Sequence, residues 1–318
     1  MKLISVVTPC YNENENIHEV YQRVKVVFDS LPEYQYEHIF IDNASKDNTV
    51  ALLRELAQKD PNVKVIVNSR NFGAMNSHFY AMLQAKGDAI MSIVADLQDP
   101  PELIPEFIKI WEQGNKIVVG VKPQAKESWM MFTVRKTYYK VLSKLSEHQL
   151  IDNYTGFGLY DKQIIDILKT LDDQAPYFRG IIATLGFNPV QIPYVQPLRH
   201  AGTSKHSFGM LYDGAMRGLT AHSKLPLRLM TVVGFAFSSL SFLSAMIYFG
   251  LKLYYWDQFS IGIAPVVIGL FLFSSLQLFF LGLIGEYIAT IHGQVMKQPL
   301  VIEEERINFD SDERNSKV

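Results

Sequence analysis

The chain has 318 residues, with 30 lysine and arginine residues against 32 aspartate and glutamate residues, and a formal net charge of −2 at pH 7. This length exceeds one average domain, so we expect a globular core with an additional segment. The charge balance argues against a nucleic-acid-binding protein, because phosphate-backbone recognition normally needs a basic face. The single cysteine, Cys10, excludes an internal disulfide, so the sequence gives no sign of an oxidising compartment.

The first hundred residues alternate between short apolar runs and amphipathic segments. The apolar runs LISVVTP, HIFID, VKVIVNS and AIMSIVAD are typical of buried strands. Helical apolar spacing lies between them, first from Asn14 to Ser30 and then in TVALLRELAQK and AMNSHFYAMLQAK. Strand and helix alternate with a period of about 25 residues. This pattern predicts parallel strands with right-handed crossovers in a layered α/β domain.

Polar segments follow all four predicted strands. They are PCYNENEN (9–16), DNASKDNT (42–49), NSRNFG (68–73) and ADLQDPPE (95–102). In parallel α/β sheets, ligands bind beyond the carboxyl ends of the strands, so we expect the four segments to form one ligand site. Each segment alone also has a structural explanation, because Asn, Asp, Ser and Pro are ordinary turn and helix-capping residues.

Individual side chains in these segments suit a nucleotide diphosphate and a divalent cation. Tyr11 could stack on a base, and Asp42 or Asn43 could hydrogen-bond to the edge of that base. Asp96 and Gln98 supply oxygen ligands of the kind that Mg²⁺ or Mn²⁺ prefers between two phosphates. The sequence has no glycine-rich phosphate loop, so a cation and basic side chains would have to balance the diphosphate charge. The single cysteine and the scattered histidines exclude a structural zinc site.

Two long uncharged stretches occupy the C-terminal third of the chain. Neither Leu229 to Leu251 nor Gln258 to Gly285 contains a charged residue, and a helix needs roughly 20 apolar residues to cross a bilayer. We predict two transmembrane helices, and the alternative is a pair of buried helices in a large soluble core. The short linker KLYYWD carries aromatic residues suited to the lipid interface, and such a hairpin places both outer ends on one side.

The residues beside the two stretches predict an orientation. Lys224 and Arg228 precede the first stretch and Lys297 follows the second, a weak positive-inside bias that agrees with a cytosolic N-terminal domain. The apolar run at the N-terminus is too short for the core of a signal peptide. The spacing in HSFGMLYDGAMRGLTAHSKLPLRL predicts an amphipathic helix at the membrane interface, although an ordinary core helix fits the same periodicity.

The order of the motifs TPCYNENENI, IDNASKDNT, SRNFG, ADLQDPPEL and RHAGTSKHSF, followed by two spans and GEYIATI, resembles the polyisoprenyl-phosphate glycosyltransferases. This family includes dolichol-phosphate mannose synthases and bacterial undecaprenyl-phosphate glycosyltransferases. The resemblance extends from Leu3 to about Pro299 and implies a Rossmann-like GT-A fold. It also implies inverting transfer of a sugar from a UDP-sugar, or from a GDP-sugar, to polyprenyl phosphate at the cytosolic membrane face.

The resemblance also implies roles for individual residues. Nucleotide binding would fall to Pro9, Tyr11, Glu13, Asp42 and Asn43. Asp96 and Gln98 would bind the Mg²⁺ or Mn²⁺ that screens the leaving diphosphate, which makes Asp96 the principal catalytic carboxylate. The acceptor phosphate would be bound by Arg135, Arg199, Ser204 and Lys205. Guanidinium and ammonium groups are suitable partners for a phosphate dianion, although Arg135 taken alone also reads as a solvated surface charge.

Three positions depart from the pattern of this family. Val94 replaces an aspartate near the metal, and Asn43 replaces an acid. Gly156 stands where many members carry the aspartate that is assigned as general base. A lipid phosphate has a second pKa of about 6 and is largely ionised at neutral pH, so positioning and charge screening could suffice. Asp152, four residues upstream of Gly156, could substitute as the base, although a capping or turn role better explains an Asp-Asn pair. The alternative function is that of a degenerate family member serving as a membrane-complex scaffold.

The predicted boundaries are 1–205 for the GT-A catalytic domain, 206–227 for the juxtamembrane amphipathic helix, 228–290 for the two transmembrane helices and 291–318 for a cytosolic tail. We expect its terminal segment EEERINFDSDERNSKV (303–318) to be flexible because it is highly charged. The protein would then be a multi-pass protein of the cytoplasmic (inner) membrane with both termini in the cytosol. Small residues such as Gly234 and Ser238 in the first span would permit close helix packing, which leaves a homo-oligomer open.

Overall fold

The computed structural model contains a mixed α/β domain and two long apolar helices. The residues that it describes are 1–122, 151, 153–171, 173, 176–197, 225–255 and 263–309. The strands are β1 (Lys2–Cys10), β2 (Tyr34–Asp42), β3 (Val63–Asn68), β4 (Ala89–Ser92), β5 (Ile117–Val121), β6 (Tyr154–Asp161), β7 (Val190–Pro193) and β8 (Glu303–Ile307). The helices are α1 (Ile17–Asp29), α2 (Thr49–Lys59), α3 (Ala74–Gln84), α4 (Ile104–Glu112), α5 (Lys162–Thr170), α6 (Phe178–Thr184), α7 (Leu225–Tyr254) and α8 (Ile263–Val295).

The eight strands form one sheet in the order β7-β5-β6-β4-β1-β2-β3-β8. The four predicted strands, β1 to β4, are parallel and adjacent, as the sequence indicated. The sheet as a whole is mixed, because β6 runs antiparallel to β4 and β5 while β8 runs antiparallel to β3. We call the end of the sheet where β1, β2, β3 and β4 finish the site end.

Apolar side chains cover both faces of the sheet, which explains why its central strands contain apolar runs. On one face Val6 and Phe40 pack with Ile17, Val20 and Val24 of α1. On the other face the apolar side chains of α3, α5 and α6 pack against strand residues that include Val7, Ile39 and Ile66. Strands that are covered on both faces have no solvent side, so they lack the apolar–polar alternation of a half-exposed strand.

The burial of His38 on β2 predicts that the stability of this domain is sensitive to acid. The side chain is fully buried, its Nε2 atom lies 2.9 Å from Thr8 Oγ1, and burial lowers its pKa from 6.5 to about 3. The unfolded chain binds a proton at His38 as the pH falls below 6.5, whereas the folded chain binds none until the pH nears 3. We expect guanidinium unfolding to show a loss of about 3 kcal/mol from this group between about pH 6.5 and about pH 4.5.

The matched substitutions are His38→Gln and His18→Gln. His18 is exposed on α1, so it provides the same substitution at a surface position. His38→Gln should remove the acid-dependent component, and equal pH dependence in both variants would contradict this assignment.

Helices α7 and α8 are long and apolar enough to cross a membrane. The candidate spans are Leu229–Leu251 and Gly269–Val295, and neither is buried within the protein. Large apolar side chains stand exposed along both helices, for example Phe235 at 75% and Phe271 at 69%. Such surfaces are costly in water and suit a hydrocarbon environment. The alternative of buried core helices is therefore wrong, and the expected pair of apolar C-terminal helices is confirmed.

The charged C-terminal segment is ordered over part of its length, so the prediction of a flexible tail is wrong for residues 303–307. Helix α8 continues to Val295, and the chain then returns to the sheet as β8. Val301 is buried at 5% exposure, and Ile307 packs against the apolar cluster that contains Val6 and Phe40. The pairing of Glu303 with Asn68 places the start of β8 at the site end.

Ion pairs and hydrogen bonds anchor the charged side chains of β8. Arg306 forms a bidentate pair with Glu303, with nitrogen–oxygen distances of 2.9 and 2.6 Å, and also donates to Gln84 at 2.8 Å. The Tyr80 hydroxyl donates to Glu303 at 2.9 Å. Backbone pairing with β3 and these side-chain contacts bind β8 to the domain, although its composition alone predicts a solvated segment.

Candidate functional site

The loops after β1 and β2 interlock at the site end. Asn12 and Ala44 both have positive φ angles, 53° and 60°, which turn the chain sharply after each strand. The Asn12 backbone N–H donates to Ser45 Oγ at 2.7 Å, and the Lys46 N–H donates to Asn12 Oδ1 at 2.7 Å. The Glu13 N–H donates to Thr49 Oγ1 at 2.9 Å. These bonds fix the two loops as one unit.

Three of the predicted nucleotide residues lie on the β1 side of this unit. Pro9 and Tyr11 are partly exposed at the end of β1. Glu13 accepts a hydrogen bond from Asn16 Nδ2 at 2.7 Å, and Asn16 immediately precedes α1. The Glu13 side chain is therefore held against the start of α1. The structure thus brings Pro9, Tyr11 and Glu13 to the same end of the sheet, and their contact with a nucleotide remains a prediction.

Asp42 and Asn43 hold the loops in shape. Both carboxylate oxygens of Asp42 accept hydrogen bonds from Ser45, one of them from its N–H at 2.8 Å. Burial raises the pKa of Asp42, and the hydrogen bonds from Ser45 oppose this shift. Asn43 Oδ1 accepts from the Phe72 N–H at 2.9 Å and from Asn68 Nδ2 at 3.2 Å. Asn43 therefore connects the β2 and β3 loops, a positioning role that the sequence did not reveal.

Asp96 lies in the loop after β4, beside the β1 loop. The Ile93 N–H donates to the Val7 carbonyl at 3.0 Å, which aligns the start of this loop with β1. Leu97 has a positive φ of 61°, and the Gln98 N–H donates to Asp96 Oδ1 at 3.1 Å. Asp96 is 7% exposed. A strained turn thus holds Asp96 and Gln98 together at the site end.

Asp99 is a site residue that the sequence analysis did not assign. Its side chain is 3% exposed, and Tyr194 donates its hydroxyl to Asp99 Oδ1 at 2.8 Å. Burial raises the pKa of Asp99 to about 6, while the charge of Lys122 and the hydrogen bond from Tyr194 oppose the shift. The signal in the sequence was the second aspartate of DLQD, but its partners come from distant parts of the chain.

Gly156 near the start of β6 occupies a backbone conformation that favours glycine. Its φ is +113°, and no heavy atom lies within 4 Å of the position that a Cβ would take. Gly158 is constrained differently, because a Cβ there would lie 2.7 Å from the Val118 carbonyl oxygen. The absence of a carboxylate at position 156 is therefore matched by the local backbone, and a side chain restored there would be strained.

Two cations that the sequence analysis missed lie near Gly156. The Lys122 ammonium is 5.8 Å from the ring centre of Tyr194. The backbone N–H of Lys122 donates to the backbone carbonyl of Asn153 at 3.2 Å. Arg179 Nη1 donates to the Tyr154 carbonyl at 3.4 Å. The predicted acceptor-phosphate residues Arg135, Arg199, Ser204 and Lys205 lie outside the described residues, as do residues 206–224 of the predicted amphipathic helix.

The end of α8 reaches the site end of the sheet. Gln294 Nε2 donates to Asp173 Oδ1 at 2.6 Å, and Asp173 lies in the connection between α5 and α6. The α5–α6 connection leads to Phe178, whose ring centre lies 5.4 Å from that of His78, and His78 Nε2 lies 2.7 Å from Ser92 Oγ at the end of β4. The connection therefore approaches the site end. Eight residues after Val295, Glu303 pairs with Asn68 at the same end. The apolar helix therefore terminates on the side of the domain that carries Asp96.

Comparison with known proteins identifies the family of this chain. The sequence model "Glycosyl transferase family 2" matches residues 5–168. The chain belongs to glycosyltransferase family 2. The family match begins in β1 and ends in α5, so it contains the β1, β2, β3 and β4 loops described above.

Relatives of this glycosyltransferase match it over nearly the whole chain. An uncharacterised glycosyltransferase of Bacillus subtilis, YkcC, is 37% identical over 299 residues, covering 94% of this chain and 92% of the relative. A prophage-derived bactoprenol glucosyl transferase of Shigella flexneri is 32% identical over 302 residues, covering 94% and 96%. The predicted resemblance to polyisoprenyl-phosphate glycosyltransferases is confirmed.

The GT-A fold is also confirmed. The structure of glucosyl-3-phosphoglycerate synthase from Mycobacterium tuberculosis, in complex with phosphoglyceric acid, superposes with a TM-score of 0.50. That match covers 69% of this chain and 78% of the synthase at 17% identity, so it concerns the fold alone.

The side-chain oxygen atoms at the site end of this glycosyltransferase fit a divalent cation that the substrate helps to bind. Within the described part of the chain, no group of three His, Cys, Asp or Glu side chains converges as a complete metal site. Mg²⁺ commonly uses one or two carboxylates and completes its shell with water and substrate phosphates. The Asp96 carboxylate and the neighbouring Gln98 amide meet that requirement, so the residues fit a cation shared with a diphosphate.

Proposed function

We propose that this glycosyltransferase moves a sugar from a UDP-sugar, or from a GDP-sugar, to polyprenyl phosphate, with inversion at the sugar carbon. The observation that carries the proposal is the convergence of the Asp96 loop and the end of α8 on one end of the sheet. A lipid phosphate at the membrane surface would meet the donor there. The names of the bactoprenol glucosyl transferase relatives support the same acceptor.

Asp96 and Gln98 would hold Mg²⁺ or Mn²⁺ between the protein and the donor diphosphate. The cation would stabilise negative charge on the departing nucleoside diphosphate. Asp96 is fixed by the Leu97 turn, so its carboxylate needs little reorganisation when the donor binds. Pro9, Tyr11, Glu13, Asp42 and Asn43 would hold the nucleotide at the adjacent loops.

The acceptor phosphate would react without a protein carboxylate at position 156. Its second pKa is about 6, so the dianion predominates at neutral pH and is already nucleophilic. Lys122 and Arg179 add positive charge beside β6, and the predicted residues Arg135, Arg199, Ser204 and Lys205 would complete the anion site. Attack by the phosphate oxygen forms the new bond to the sugar as the bond to the nucleoside diphosphate breaks.

The proposed location is the cytoplasmic membrane, with the catalytic domain and both termini in the cytosol. Support comes from the sheet itself, because β7 precedes the two apolar helices and β8 follows them. Strands of one sheet lie on one side of a bilayer, so the chain between them crosses an even number of times.

The test is a transfer assay with full-length protein in vesicles that contain undecaprenyl phosphate. Radiolabelled UDP-glucose, UDP-N-acetylglucosamine and GDP-mannose are supplied separately with Mg²⁺ or Mn²⁺. We expect one donor to give an organic-soluble, acid-labile product that contains the label. If no donor labels the lipid while UDP still binds, the chain is a degenerate member that acts as a scaffold.

A further inference from the structure

A hydrogen bond between Tyr194 and Asp99 connects two loops at the site end. The Tyr194 hydroxyl donates to Asp99 Oδ1 at 2.8 Å. Tyr194 directly follows β7, whereas Asp99 lies in the loop after β4, and the sheet places β5 and β6 between these two strands. The bond therefore joins two parts of the site that no strand pairing connects.

Packing around Tyr194 fixes the direction of its hydroxyl. The Tyr194 N–H donates to the Val121 carbonyl at 3.0 Å, which extends the pairing of β5 and β7 by one residue. Its ring makes an edge-on contact with Phe157, with ring centres 5.1 Å apart. Gly120 permits this arrangement, because a Cβ there would lie 2.4 Å from Phe157 Cδ1 and 2.9 Å from Tyr194 Cε1. Tyr194 and Asp99 are 6% and 3% exposed, so water competes little for the bond.

We propose that the Tyr194–Asp99 hydrogen bond is a positioning element that holds Tyr194 and the end of β7 in place relative to the Asp96 loop. This inference rests on the proposed function, since it assigns the bond to alignment of acceptor and donor. The Lys122 ammonium, to which the proposed function assigns part of the acceptor-phosphate site, lies 5.8 Å from the ring centre of Tyr194. Asp99 follows Asp96 by three residues. The bond thus ties Tyr194, beside Lys122, to the loop that carries the predicted cation ligand.

The decisive substitution is Tyr194→Phe, which keeps the ring and its contact with Phe157 but removes the hydroxyl. We expect kcat/KM for undecaprenyl phosphate to fall by about 10-fold, the effect of one lost hydrogen bond to a carboxylate. The Kd for UDP measured without a divalent cation should change by less than about 2-fold, because the nucleotide loops do not contain Tyr194. A purely structural role would weaken both substrates together or neither.

Two further substitutions at Asp99 separate positioning from charge. Asp99→Asn retains an oxygen that can accept from Tyr194, so we expect kcat/KM within about 3-fold of the unmodified protein. Asp99→Ala should match Tyr194→Phe, and the double variant should be no worse than either single variant.

The matched control is Tyr21→Phe. The Tyr21 hydroxyl donates to Asp60 Oδ2 at 3.1 Å, so the same chemistry is removed at the opposite end of the sheet, where α2 ends. This variant should leave kcat/KM for undecaprenyl phosphate unchanged.

Amide hydrogen exchange provides a readout that does not depend on turnover. In the full-length protein, Tyr194→Phe should accelerate exchange in residues 94–99 and 190–195, whereas Tyr21→Phe should not. Absence of lipid-linked product from the unmodified protein would reject the proposed function, and the exchange data would still decide whether the bond couples the two segments. Identical exchange and identical kinetics in Tyr194→Phe and Tyr21→Phe would overturn the inference.

Discussion

Replacement of Asp96 with asparagine is expected to lower kcat for sugar transfer by about 10³-fold. The amide keeps the shape of the side chain and can still accept from the Gln98 N–H, which lies 3.1 Å from Asp96 Oδ1. It loses the negative charge that attracts a divalent cation, so the leaving diphosphate loses its screening. UDP binding should also lose its dependence on Mg²⁺ or Mn²⁺, which isothermal titration with and without the cation can measure.

Asp60→Asn is the control for this substitution. Asp60 is similarly buried, at 8% exposure against 7% for Asp96, but it lies at the opposite end of the sheet after α2. Its amide variant should retain transfer and metal-dependent UDP binding. An Asp96→Asn protein that keeps both properties would show that the cation, if one binds, is held elsewhere.

Arg306→Glu is expected to destabilise the catalytic domain by about 3 kcal/mol. Arg306 is 12% exposed and pairs with Glu303, which is 20% exposed, so the substitution places two carboxylates together in a mostly buried position. It also removes the donor to Gln84 and the guanidinium beside the Phe309 ring, 4.6 Å away. The midpoint of thermal unfolding should fall by roughly 6 to 12 °C.

Arg54→Glu is the matched substitution for the second ion pair of β8. Arg54 and Glu305 are 50% and 36% exposed, so this pair contributes less than about 1 kcal/mol. Its loss should move the unfolding midpoint much less than the loss of the Arg306 pair. If β8 is bound as described, limited proteolysis after Lys297 should increase in Arg306→Glu and remain unchanged in Arg54→Glu. Equal effects of the two substitutions would contradict the docking of β8.

The sequence predicted the features that depend on local patterns. Strands β1 to β4 were recognisable because buried parallel strands are short apolar runs, and the polar loops follow them directly. Asp96 and Gln98 could be proposed as cation ligands because their side chains offer hard oxygen atoms next to a strand end. The two apolar helices were predicted by length and absence of charge alone.

Contacts between residues that are distant in the sequence could not be predicted from such local patterns. The sequence EEERI in β8 reads as a solvated tail, since its strand character comes from pairing with β3 more than 200 residues earlier. Asp99 accepts its hydrogen bond from Tyr194, which lies 95 residues away along the chain. The amide of Asn43 also connects the β2 and β3 loops through Phe72 and Asn68, a contact that the sequence pattern did not indicate. Each of these side chains has an ordinary local explanation that concealed its long-range partner.

The most direct test of the proposed reaction is the stoichiometry of donor cleavage in vesicles. Full-length protein is incubated with the active nucleotide sugar and Mg²⁺ in vesicles with and without undecaprenyl phosphate, and both UDP or GDP and lipid-linked sugar are measured. Our account predicts that nucleoside diphosphate release requires the lipid phosphate and equals the lipid-linked sugar formed. Release at the same rate without the lipid phosphate, or transfer of the sugar only to a water-soluble acceptor, would contradict it.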